Sequence, residues 1–250
     1  INVTINGIAL NDSESQGVFW VNTPDLASSI QTIQVQRGVG TSTNGPGAFG
    51  ATVSVHTDGL SQDPYAEAMI SAGSFGSQRY TFKGGTGLLN DRWSFDGRVS
   101  KITSDGYLYR ATSDLTSFYL SGGYYGKKTI VKAIMFGGHE KTYQAWYGVD
   151  AATMAVDRRY NYAGAIYDEA GNVSRYYDNE VDDYKQDHYQ LHVSQRISEL
   201  WNATVSLHYT KGSGFFEQYK QSEPFANLGL PDVIIGGATI QESDVIVRRW

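Results

Sequence analysis

The sequence predicts a mainly β protein: long antiparallel strands with the pattern of a transmembrane β-barrel wall, preceded by a small α/β segment. Three observations carry that reading. Only 18% of the 250 residues are charged, while aromatics reach 13% and there are 28 Gly against 5 Pro. Soluble proteins run nearer a quarter charged. The hydrophobic 40% is spread by alternation, with no run long enough for a transmembrane helix, which is how barrel strands hide their apolar content. After Thr57 the chain falls into alternating runs of about ten residues or more, longer than the globular mode of roughly 5–6. The links between these runs alternate tight and long, as in outer-membrane barrels.

The first 57 residues have a different texture. Ile1 to Leu10 reads as a strand turning at Asn6-Gly7. Asp25 to Ile30 fits a short helix capped by Thr23 or Asp25, with Pro24 in its first turn. Ile33 to Gln36 alternates as a strand. Arg37 to Gly50 is rich in Gly, Ser, Thr and Asn, and Ala51 to Val55 alternates again. This segment is too short to build a large core of its own.

Seven strands follow, at about 65–75, 78–89, 92–103, 114–125, 128–140, 185–198 and 201–213, with an eighth starting near Val245. In the last complete one, Trp201, Ala203, Val205, Leu207 and Tyr209 oppose Asn202, Thr204, Ser206, His208 and Thr210. Trp93, Phe95, Gly97 and Val99 likewise oppose Ser94, Asp96, Arg98 and Ser100. Phe82, Phe95 and Leu207 are thereby assigned to lipid. Tight turns are expected at 89–92, 125–128 and 198–200; at the other end a short link near Gly76, a moderate one at Ser104–Ser113 and long ones at 141–184 and 214–240. Trp93, Trp201, Tyr124 and Tyr209 sit near strand ends, where a membrane girdle places aromatics. A soluble antiparallel sandwich is the competing fold, since it also places Tyr there.

From Ile30 to Thr57 the chain reads IQTIQVQRGVGTSTNGPGAFGATVSVHT. A strand ends in Arg37-Gly38, a Gly-rich bend passes Asn44-Gly45 and Phe49-Gly50-Ala51, and Val53-Ser54-Val55-His56-Thr57 alternates out of it. Ile5 to Asn11 supplies an earlier strand and turn. This ordered set, followed by barrel strands, resembles the plug domain of TonB-dependent outer-membrane receptors. Gly17-Val18-Phe19-Trp20 and Pro24 to Ser29 look most like the receptors of Bacteroidetes. The resemblance implies residues 1–57 as the C-terminal part of a plug and 58–250 as the N-terminal part of the barrel, about 8 of roughly 22 strands. An eight-stranded barrel would be filled by its own side chains, so the chain is expected to be a fragment of a larger receptor, without the TonB-box segment.

The resemblance also implies active uptake of a scarce solute across the bacterial outer membrane. An iron complex (siderophore or haem) or cobalamin is the expected cargo, with oligosaccharides or peptides next. It implies a TonB-type energy-transducing partner and contact with outer-membrane lipid, and leaves room for a surface lipoprotein. Arg37, Gly38, Gly45 and Gly50 would lie at the plug–barrel contact. The glycines at 38, 40, 45, 47 and 50 permit tight bends, and Arg37 would be buried in the lumen, paired with barrel-wall acids on strands expected to lie outside this chain. A solvated strand-end charge is the plainer reading of Arg37. An adhesin or binding module without transport is the alternative from another class.

The 141–184 loop is the candidate ligand site, because Tyr and Arg combine large contact area with polar tips. Tyr143, Trp146, Tyr147, Arg158, Arg159, Tyr160, Tyr162, Arg175, Tyr176 and Tyr177 are the candidates. A folded surface hairpin with its tip at Glu169-Ala170-Gly171-Asn172 explains the same residues without a ligand. The acids from Asp178 to Asp183 could bind Ca²⁺, but lack EF-hand spacing and read equally as solvated loop. If 198 pairs with 202, His192 faces His208 across two strands, a weak metal or pH-sensitive pair against the plainer reading of polar lumen lining.

Several classes are excluded. The absence of Cys removes disulfide scaffolds, Cys zinc sites and thiol catalysis. A net charge of −6 argues against nucleic-acid binding. No GxSxG, HExxH or Walker motif occurs, and the one GxGxxG, Gly45-Pro46-Gly47-Ala48-Phe49-Gly50, lies in the Gly-rich bend ahead of an alternating run rather than opening a helix, so neither enzyme activity nor a cofactor is expected.

Overall fold

A computed structural model describes residues 1–38 and 49–249. The first strands are β1 (Asn2–Ile5), β2 (Ile8–Ala9), β3 (Ile30–Arg37) and β4 (Ala51–Thr57), in the sheet order β2-β1-β4-β3. Asn6 and Gly7 both take positive φ, 55° and 81°. That is the two-residue turn an Asn-Gly pair favours, and it sets Ile5 opposite Ile8. β1 runs parallel to β4, with Val3 beside Val53 and Ile5 beside Val55. The expected helix at Asp25–Ile30 is only a 3-10 turn, Leu26–Ser29. Asp25 does not cap it: the residue is left-handed at φ 50°, and its carboxylate engages arginines of the larger sheet instead.

The larger sheet contains β5 (Pro64–Ala72), β6 (Gln78–Thr86), β7 (Trp93–Ser104), β8 (Ser113–Tyr125), β9 (Thr129–Tyr143), β12 (Val181–Arg196), β13 (Asn202–Pro224) and β16 (Glu242–Arg249). All neighbours pair antiparallel. Between them lie α1 (Ala151–Val156) and the small hairpins β10 (Ala165–Tyr167)–β11 (Val173–Tyr176) and β14 (Val233–Ile235)–β15 (Ala238–Ile240). Among the described residues eight strands stand in this sheet, the number expected.

Two details depart from the sequence reading. β13 runs 23 residues, to Pro224, where a strand ending near 213 was expected. It keeps pairing with β12 to Phe216 and then takes β16 as a partner from Phe216 to Pro224. The β12–β13 turn is also wider than expected, with Arg196 rather than Ser198 opposite Asn202. The five-residue loop is held by Ile197 N–H on the Trp201 carbonyl and by Ser198 Oγ, which accepts from the N–H groups of Leu200 and Trp201.

The sheet has two unlike faces. Phe82, Phe95, Leu120, Val205, Leu207 and Tyr209 project from one face and are exposed. Ser94, Asp96, Arg98, Ser100, Ser117, Tyr119 and Gln190 line the other and are buried. The small sheet seats on this second face. Its Ile5, Leu26 and Val55 form one hydrophobic cluster with Tyr119, Ile134 and Phe136. The approach is close at Gly138, where an added Cβ would lie 2.5 Å from Pro24 Cγ and 2.4 Å from the Thr116 carbonyl oxygen. Gly138→Ala is therefore expected to cost about 1–3 kcal/mol through overpacking, read as a lowered urea midpoint with an unchanged slope.

Candidate functional site

The seam between the two sheets is built around two aspartates. Asp25 Oδ2 lies 3.1 Å from Arg98 Nη1, and Asp25 Oδ1 lies 2.9 Å from Arg79 Nη2. Arg98 also donates from Nε to Ser29 Oγ at 2.7 Å, and from Nη1 to Ser100 Oγ at 2.8 Å and Ser117 Oγ at 2.9 Å. Its side chain is 1% exposed. A charge that deeply placed is tolerable only when paired and hydrogen-bonded. At the second aspartate, Lys83 Nζ meets the Asp58 carboxylate at 2.6 Å and Lys132 Nζ donates to its carbonyl oxygen at 3.0 Å. Tyr119 donates to Thr57 Oγ1 at 3.0 Å, and Asn6 Nδ2 to Gln190 Oε1 at 3.0 Å.

The residues read from the sequence as plug–barrel contacts lie within the β3–β4 segment. Arg37 and Gly38 end the edge strand β3 and are exposed, as is Gly50. Gly38 N–H donates to the Gly50 carbonyl and closes the β3–β4 hairpin. Gly45, with Gly40 and Gly47, lies outside the described residues. Arg98 is a buried arginine that the sequence reading did not single out. β3 is the outer edge of the small sheet, beyond β4, and Arg98 sits in mid-β7 on the inward face. The missed signal was an arginine flanked by Ser and Asp on the polar face of a long strand.

The 144–180 connection is a folded unit. Asp150 caps α1, its Oδ1 accepting from Thr153 N–H at 2.7 Å, and that bond holds the carboxyl below its usual range. Tyr143 donates to the carbonyl oxygens of Ala163 and Tyr177, at 3.2 and 2.8 Å. Arg159 reaches across to the 105–112 link, stacking on Tyr109 at 4.7 Å and donating to the Tyr107 carbonyl at 2.7 Å. The Arg110 guanidinium lies 3.4 Å from the Tyr176 ring centroid. Tyr177 donates to the buried Glu217 carboxylate, which also accepts from Asn179 and Arg248. Burial first, then that carboxylate, pushes the Tyr177 phenol up to about 12.

Of the ten loop candidates, Tyr143, Arg159, Tyr176 and Tyr177 thus serve the loop's own structure. Tyr160 is half-buried, while Arg158 and Arg175 are exposed. Trp146, Tyr147 and Tyr162 form an exposed aromatic row, with ring centroids 6.1 and 5.3 Å apart. Tyr147 is fixed from below. Its hydroxyl accepts from Gln218 Nε2, which also donates to Gln144 Oε1 at 2.7 Å. Gln144 is fully buried and donates to the carbonyl oxygens of Val181 and Glu217. Gln218 shares the inward parity of β13.

The register corrects the histidine pair. His192 lies opposite Ser206, with Nδ1 to Oγ at 2.8 Å, and His208 lies opposite Gln190. The two-residue shift of the β12–β13 turn sets the imidazoles diagonally. Among the described residues no three His, Asp or Glu side chains gather closely enough for a metal ion.

Comparison with solved structures identifies the architecture. The chain matches the siderophore receptor PiuA from Acinetobacter baumannii over 99% of its own length and 33% of the receptor's, with TM-score 0.63 and 14% identity. The ferric-catecholate import receptor Fiu from E. coli K12, in its open form, matches over 88% and 33%, with TM-score 0.62 and 14% identity. The ferripyoverdine receptor of the Pseudomonas aeruginosa outer membrane matches over 89% and 29%, with TM-score 0.64 and 14% identity. No family model and no curated protein matches the sequence. The chain therefore shares its fold with part of the TonB-dependent siderophore receptors and spans about a third of their length. These neighbours are transport receptors, not enzymes.

Proposed function

We propose that the chain is part of a TonB-dependent receptor of the bacterial outer membrane that imports a ferric complex. Residues 1–57 are read as the C-terminal part of the plug and 58–250 as the N-terminal part of the barrel. One observation supports this above the others. A small mixed sheet is bolted by ion pairs to the polar face of a long-stranded antiparallel sheet whose opposite face is apolar and exposed. A water-filled lumen on one side and lipid on the other account for that asymmetry.

In this reading the outer loops select the solute, and the small sheet blocks the lumen at rest. A TonB-type protein supplies the energy that remodels it, since release requires a second state of the plug. Siderophores lead among cargoes because the similar solved receptors carry that name. Haem and cobalamin follow, then oligosaccharides or peptides, since a fold does not specify cargo.

The test is uptake. A strain lacking the gene is expected to lose accumulation of a radioiron complex, and the full-length gene to restore it only while the proton gradient is intact. Unchanged accumulation of ferric siderophores and haem in the deletion strain would overturn the iron reading.

A further inference from the structure

The end of the molecule that bears the long connections is acidic. Segments 104–113, 141–184 and 214–249 hold 8 Lys and Arg against 14 Asp and Glu. That difference equals the net charge of the whole chain, −6. Several of the eight cations are committed to ring faces. Arg110 lies on Tyr176 and Arg159 on Tyr109. Arg248 lies over Phe215 at 4.3 Å while holding Glu217, and Arg249 over Phe216 at 5.7 Å. The acids are held as well, Glu217 by Tyr177, Asn179 and Arg248 among them, so what these segments carry is a net negative charge beside exposed aromatic surface.

The row Trp146–Tyr147–Tyr162 is the part of that surface built as a platform. Its members are exposed, yet Tyr147 is held by the buried Gln144–Gln218 pair. Rigid aromatic area binds with little entropy loss, and it attracts apolar and cationic groups together. A polyanion approaching the same platform meets the acidic field of the loops, which lowers both its local concentration and its affinity.

Resting on the uptake reading, we infer that this receptor selects an electrically neutral or cationic ferric chelate of the hydroxamate type and discriminates against polyanionic chelates. Three hydroxamate monoanions cancel the charge of a ferric ion, and a free amine on the backbone leaves a cation. Three catecholate dianions overshoot that charge, and citrate complexes are likewise anionic. The alkyl spacers of a trihydroxamate lie on the aromatic row, and its ammonium group is drawn by the net negative charge of these segments.

Equilibrium dialysis of the purified full-length receptor at low salt tests this, with three radioiron probes: an amine-bearing linear trihydroxamate, a tris-catecholate and citrate. The trihydroxamate is expected to bind at least about tenfold tighter than either anion, with the gap narrowing as salt is raised. Trp146→Ala is expected to weaken it about tenfold, whereas Trp146→Phe retains most of the affinity. Tighter binding of an anionic chelate, together with gene-dependent iron uptake, overturns this inference and leaves the uptake reading standing. Absence of both chelate binding and gene-dependent iron uptake overturns the two together.

Discussion

Asp25→Asn is expected to loosen the small sheet from the larger one by about 3 kcal/mol. The substitution keeps the shape and the left-handed backbone, which Asn tolerates, and removes only the charge. Arg98 would then be a cation 1% exposed with no carboxylate. Breaking a buried pair by removing one partner costs about 3–5 kcal/mol. The lower end applies because Ser29, Ser100 and Ser117 still accept from Arg98. Arg79, about a third exposed, adds little, since solvent screens such pairs.

Hydrogen exchange would show the effect as faster opening around Leu26–Ser29, with the β7–β8 ladder unchanged. Adding Arg98→Met to Asp25→Asn is expected to recover more than half the loss, because no unpaired charge then remains buried. A change below about 0.5 kcal/mol in Asp25→Asn would mean that water already reaches the pair. If the small sheet is the plug, the same variant is also expected to leak, admitting a bulky hydrophilic antibiotic that the parent excludes.

This seam marks the limit of what the sequence discloses. The strands of the large sheet were legible because each face has one solvent over many residues, so the period of two persists from Trp93 to Val99 and from Trp201 to Tyr209. The Asn6-Gly7 turn was legible because its backbone demand is local. Asp25 with Arg98 was not, because the two lie 73 residues apart and nothing local distinguishes an N-cap from a tertiary ion pair. Arg37 drew attention through its place in a motif, whereas Arg98 belongs to no motif and shows only in the packing of the two sheets. The β12–β13 register hung on the length of the turn, five residues held by backbone and Ser198 hydrogen bonds, which alternation along the strands does not reveal. In the 141–184 loop, composition pointed to Tyr and Arg as a class. Only the contacts separate those that hold the loop together, such as Tyr143 and Arg159, from those left facing outward, such as Trp146 and Tyr162.

Val205→Arg is the second large effect, and it addresses the solvent of the outer face directly. Val205 lies midway between Trp201 and Tyr209, on the face that carries Leu207 and is 57% exposed. Eight residue steps at about 3.4 Å span about 27 Å along the strand, close to the roughly 25 Å apolar band of an outer-membrane barrel. In water, arginine at an exposed strand position changes stability by about 0.5 kcal/mol or less. At the midplane of a bilayer it costs about 2–4 kcal/mol, because the guanidinium leaves water without a partner. Ser206→Arg, one residue along and facing inward opposite His192, is expected to cost less than about 1 kcal/mol. Urea unfolding of the full-length protein in lipid vesicles measures both variants. A large loss at 205 with a small one at 206 is the signature of lipid outside and a polar lumen within. Equal small losses would place water on both faces, and the soluble binding module would then be the better account of the chain.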